Sequence, residues 1–210
     1  MSTASPVQIC NIALGWLGQG SITSFEDRSR TAQLCKDNYD LLRDALLESR
    51  CWTFAEFKKV STSSQVPGRV DGNENTYAEN GWPEWGEGFV HYIDSQFLKV
   101  FRVYRDSSMD SDNQAVWGRH GEYVIADQET IYMWGVRRVE DTDSFSELFV
   151  QALAGRIAAD LCVPITQNRA LQVDMWSLFN DKMSEAAARD GQQGRNETVG
   201  ATRLRRARMR

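Results

Sequence analysis

Few residues in this 210-residue chain have the types and spacings that chemistry needs. Asp37 and Asp40 lie on one predicted helix, and Asp106, Asp110 and Asp112 fall in one loop. Two carboxyls about 5–10 Å apart across a cleft would suit glycoside hydrolysis. Spacing along a chain does not build a cleft, however, and surface acids are expected where 29 Asp and Glu outnumber 24 Lys and Arg. His91 and His120 stand apart from any cysteine or carboxylate cluster of metal spacing, and His120 falls in a predicted hairpin turn. Cys10, Cys35, Cys51 and Cys162 are far apart. No pair has the spacing of a zinc knuckle or a redox motif, and burial as free thiols is the expected state. There is no nucleophile elbow, P-loop or dinucleotide fingerprint. The chain reads as a non-enzyme with no cofactor and no metal.

The residues that stand out are contact residues. Between positions 61 and 88, glycine, proline, serine, asparagine and glutamate make a loop longer than the roughly 12–15 residues usual for structureless connections. Trp82 and Trp85 interrupt it, and aromatics argue against plain disorder. Two readings stand for them: folding back onto the chain's own sheet, or contact with a subunit or partner. At the other end, the last twenty residues carry Arg195, Arg203, Arg205, Arg206, Arg208 and Arg210 against Glu197 alone, a balance of +5. The net charge is −5, so the preceding 190 residues carry −10. An acidic body with a basic tail suggests two surfaces for two partners. The tail could be a solvated end, a nucleic-acid arm, or a docking arm whose Arg203, Arg205, Arg206, Arg208 and Arg210 meet carboxylates with paired hydrogen bonds.

Helices and strands must position these groups. Ser5 and Pro6 give a capping hydroxyl followed by proline at the first helical position. Val7, Cys10, Leu14 and Leu17 then form a stripe that Gly18 and Gly20 end. In the second helix Ala32, Cys35, Tyr39, Leu42 and Leu46 recur at spacings of three and four, and Leu34, Leu41 and Leu47 widen the face. Glu26 and Asp27 would sit at its start, and Trp52, Phe54 and Phe57 follow its end near Arg50 as anchors. Val, Ile and aromatics over 89–139 predict an antiparallel meander with a tight turn near Gly121. Ser144 and Glu147 read as a capping box for a third helix that Pro164 ends, and Asn168 caps a fourth. The expected fold is α+β. Residues 1–60 and 141–191 make a four-helix bundle, 61–140 a loop and antiparallel β insertion, and 192–210 an extended basic C-terminal arm. Residues 1–20 lack a basic leader, no apolar run approaches membrane-spanning length, and no membrane contact is expected.

The segments CNIALGWLGQGSI and SRTAQLC, with YDLLRDALLESRCWTFA after them, resemble the tail tubular protein A family of short-tailed bacteriophages, the head-to-tail adaptors. FLKVFRVY and LFVQALAGRIAADLCVPIT are similar to later segments of that family, so the likeness covers most of 7–190 in order. The resemblance implies a virion structural protein, made in the host cytoplasm and placed at the head-to-tail junction. It implies a dodecameric ring of this chain between portal protein and tail nozzle protein, with double-stranded DNA passing through the lumen. An acidic wall would let DNA slide, since duplex DNA carries one negative charge per roughly 1.7 Å of axis. A nucleic-acid-binding module using the basic tail is the competing reading, and a carbohydrate-active hydrolase the third.

Overall fold

A computed structural model describes residues 4–63 and 89–193, and it is mixed α/β: four helices and two small antiparallel sheets. In chain order these are α1 (Pro6–Trp16), α2 (Arg30–Glu48), β1 (Glu56–Thr62), β2 (Phe89–Tyr92), β3 (Phe97–Tyr104), β4 (Trp117–His120), β5 (Tyr123–Ala126), β6 (Thr130–Arg137), α3 (Glu147–Thr166) and α4 (Arg169–Gln193). They fall into two compact units, 1–36 with 145–210, and 37–144. The boundary lies within α2.

The first unit is helical. Ser5 starts α1 with the full reciprocal cap: its hydroxyl accepts from the Gln8 N–H, and the Gln8 side chain accepts from the Ser5 N–H at 2.7 Å. Gly18, at φ 68°, takes the chain out of the helix through a left-handed turn that an L side chain rarely adopts. The Asn11 side chain then holds the exiting chain, accepting from the Ile22 N–H at 2.8 Å and donating to its carbonyl at 2.9 Å. Two helix starts are displaced from expectation. α2 begins at Arg30, where Ser29 accepts from the Ala32 N–H, while Asp27 turns back to the N–H groups of Thr23 and Ser24. Those bonds, from Thr23 first, hold the Asp27 carboxyl below the usual range. Ser146 rather than Ser144 caps α3, because Thr142–Ser144 is a 3-10 turn and the chain becomes helical later.

α3 packs against α1 and α4. Phe149, Ala152, Leu153, Gly155, Ile157 and Ala159 are all buried. A Cβ at Gly155 would come 3.2 Å from the Phe179 Cα, so this glycine sets how closely α4 approaches. Asn168 caps α4 as expected, its side-chain Oδ1 accepting from the N–H groups of Ala170 and Leu171. Pro164 does not end α3, which runs to Thr166. The N–H that proline lacks falls in the last turn, where the Thr166 hydroxyl donates to the Cys162 carbonyl and Gln167, left-handed at φ 56°, closes on Val163. α3 is also, contrary to expectation, long and apolar enough to cross a membrane, with 61% of that stretch buried inside the protein. Its apolar character is accounted for by α1 and α4.

In the second unit the expected single meander is instead two three-stranded sheets, ordered β1-β6-β3 and β2-β5-β4. Pairing of β1 with β6 joins residues some seventy positions apart, and neighbour-to-neighbour reading along the chain does not find it. Only β4 and β5 form the anticipated tight hairpin, around Gly121 at φ 60°. Val100, Val103, Ile131 and Met133 meet Val124 and Ala126 in a common core, joined by Phe57, whose ring meets Phe97 edge-on at 4.7 Å. The last three turns of α2 belong here. Tyr39, Leu42 and Leu46 point inward, and the fully buried Trp52 donates its indole N–H to the Leu46 carbonyl at 3.0 Å. Leu153 and Ile157 are buried in the first unit. Leu41 departs furthest from its expected place in the α2 stripe: it is 69% exposed.

Candidate interaction surface

The strand registers of β1-β6-β3 set out the outer face of that sheet as rows. Lys58, Trp134 and Arg102 stand side by side across the three strands. Val60, Tyr132 and Tyr104 form the next row, and Thr62 with Thr130 the edge beyond. Side chains alternate faces along a strand, so these residues lie on the face opposite Met133 and Ile131, where Val60 is exposed and Tyr104 is buried. On the opposite side of the central row, Glu56, Val136 and Lys99 lie toward the end of α2. There Lys99 donates to the Glu48 carbonyl, and Val136 is fully buried.

Trp134 is the centre of this face. The Arg102 guanidinium lies over its ring at 5.3 Å, and Phe101, the residue at a β-bulge, meets it at a tilt at 6.3 Å. Lys99 lies 5.3 Å over Phe101. The Trp134 indole N–H donates to Glu56 at 2.6 Å, and Lys58 pairs with the same oxygen at 2.7 Å. Burial pushes the Glu56 carboxyl up, but the bonds from Lys58 and Trp134 outweigh it and hold the group below the usual carboxylate range. The bulge depends on Gly135. A Cβ there would fall 2.0 Å from the Lys99 carbonyl oxygen, so no other residue fits without moving β3. The result is a half-exposed Trp and Tyr on rigid strands, with Lys58, Lys99 and Arg102 set among them. Interface hot spots are enriched in Trp, Tyr and Arg.

The residues considered for chemistry fall elsewhere. His91 is buried, its Nε2 2.9 Å from the Gln128 carbonyl and its Nδ1 3.3 Å from the Ser61 hydroxyl, so it ties the two sheets together. Burial lowers its pKa, opposed in part by the Gln128 bond. Asp106 knits its own loop through Ser108 and Asn113. Asp37 and Asp40 are exposed on α2. An open cleft of about 330 Å³, lined by Ser95, Gln96, Phe97, Leu98, Arg137 and Arg138, contains no carboxylate. All four cysteines are free, and Cys10, which donates its S–H to Cys35 and is shut away from water, is pushed well above the ordinary thiol range. Among the described residues no cluster of His, Cys, Asp and Glu could hold a metal.

Trp82, Trp85, Arg203, Arg205, Arg206, Arg208 and Arg210 lie outside the described residues. Sequence reasoning missed the Trp134 face because β6 is apolar on both sides. Ile131 and Met133 alternate with Tyr132 and Trp134, and only the pairing with β1 and β3 shows which set turns outward. The signal available was the alternation of Lys58, Arg102 and Trp134 with core residues. No protein-family model matches this chain, and no curated protein matches it either.

Proposed function

We propose that the chain is a structural head-to-tail adaptor of a bacteriophage virion, which assembles as a ring between portal and tail nozzle around the DNA conduit. The observation that carries this reading is the outward face centred on Trp134, where Tyr132, Lys58 and Arg102 surround a half-exposed tryptophan on a rigid sheet. Such a face suits lasting protein contact. The likeness of CNIALGWLGQGSI and YDLLRDALLESRCWTFA to tail tubular protein A supplies the identity of the assembly. With this proposal goes the finer architecture: a four-helix bundle bearing the sheets, with a basic C-terminal arm. Trp82, Trp85 and the arginines of 203–210 belong to it as further partner contacts.

The test is the mass of the purified protein, alone and with a portal ring, by native mass spectrometry. A ring of defined subunit number, or stoichiometric capture by the portal, is expected. A chain that remains monomeric under both conditions overturns the proposal. Deleting 201–210 should leave the monomer folded and weaken ring formation or portal attachment.

A further inference from the structure

The Trp134 face has a counterpart on the same unit. Leu41, the exposed leucine of α2, sits among carboxylates. Asp37, Asp44, Ala45 and Glu48 share its helical face, and Asp40 flanks it. Arg43 bonds Asp40 and Asp44, and Arg138 bonds Asp44 as well. Four carboxylates therefore stand against two arginines on this surface. On the Trp134 face, among the described residues, the cations Lys58, Lys99 and Arg102 gather with the carboxylate of Glu56. One surface is a negatively charged helix ridge around one large aliphatic side chain. The other is a positively charged sheet with an aromatic centre.

We propose that these two surfaces are the two halves of one interface between copies of this chain: the Leu41 ridge of one copy seats on the Trp134 face of the next. A helix with an apolar ridge laid on a sheet face is a standard packing arrangement. Leu41 meets Trp134 and Tyr132, while the carboxylates flanking it face Lys58 and Arg102. Charge complementarity points to a second copy, because the ridge of the same chain carries the carboxylates that suit these cations. The halves differ, so the contact is head-to-tail, and a head-to-tail contact that closes on itself makes a ring. This inference rests on the adaptor reading and names the subunit contact within it.

The experiment uses two full-length variants, Arg102→Glu with Trp134→Ser, and Leu41→Lys. Each is checked for an unchanged circular dichroism spectrum, and Arg102→Glu alone serves if the tryptophan change disturbs folding. Each variant by itself should associate about tenfold more weakly or worse than the wild type. Mixed, they should form a 1:1 heterodimer and nothing larger. One partner retains the ridge and the other the face, so one sound contact joins them and none remains to extend it. Wild-type assembly matched by both variants would overturn this interface and leave the adaptor reading standing. Failure of the wild-type chain to assemble, alone or with portal, would overturn the adaptor reading itself.

Discussion

The two units treat their apolar residues in opposite ways. In the helical unit α3 turns Phe149, Leu153, Ile157 and a run of small residues inward, and Val173 is its one large hydrophobic side chain well exposed among the described residues. The sheet unit leaves five exposed: Leu41, Val60, Tyr92, Val116 and Tyr123. Tyr92 and Tyr123 even pair with each other, edge to face at 5.8 Å, on the outside of the second sheet. Small residues explain part of the difference. Gly155 and its alanine neighbours let α4 come close enough to leave little uncovered, whereas a three-stranded sheet with one face in a core necessarily offers the other. The lesson is a division of labour: one unit closed within itself, the other open to contact.

That contrast can be broken at several points. Truncating Trp52 to alanine should cost about 3–5 kcal/mol, the range for a buried large aromatic, and would show that the open unit still has a firm interior. A loss under about 1 kcal/mol in a denaturant titration would contradict its burial. Gly155→Ala should cost less. Overpacking against Phe179 costs about 1–3 kcal/mol, and alanine recovers up to about 1 kcal/mol over glycine in a helix interior. The net is a loss of up to about 2 kcal/mol, read as a lower midpoint; a stabilised variant would mean that α4 gives way freely.

His91 offers a pH test confined to the sheet unit. Its folded pKa lies below the unfolded value, so its stabilising contribution is whole above about pH 6.5 and is lost as pH falls from there through the folded pKa. Unfolding midpoints between pH 7.5 and 5 should drop more for the wild type than for His91→Gln. Equal slopes would put the acid sensitivity elsewhere. The smallest effect belongs to the open surface: Leu41→Ser and Val60→Thr should each change stability by no more than about 0.5 kcal/mol. A larger loss would mean that these side chains serve the monomer.

Local signals in the chain were readable, and long-range ones were not. Ser5–Pro6 and Asn168 announce their helices because a cap is chemistry within three residues. The stripe of α2 is read correctly at Tyr39, Leu42 and Leu46 but misplaces Leu41, since an apolar residue near the edge of a stripe falls on either side of the boundary. Pro164 misleads for a related reason: proline forbids a bond, but a helix within a turn of its end loses little by that. The partition into two sheets needed the β1–β6 pairing, which no local pattern carries. For the contact surface, residue types were visible and their gathering around Trp134 was not.

The Asn11 side chain, with its two bonds to Ile22, acts as a substitute strand: one amide occupies both the donor and the acceptor of a residue that lies outside any sheet or helix. Amide hydrogens in such connecting segments ordinarily exchange with solvent quickly, because nothing needs to unfold first. At Ile22 the proton is released only when the Asn11 side chain lets go of it. Its exchange rate thus times the release of a clasp that the first helix extends to a position with no helix of its own.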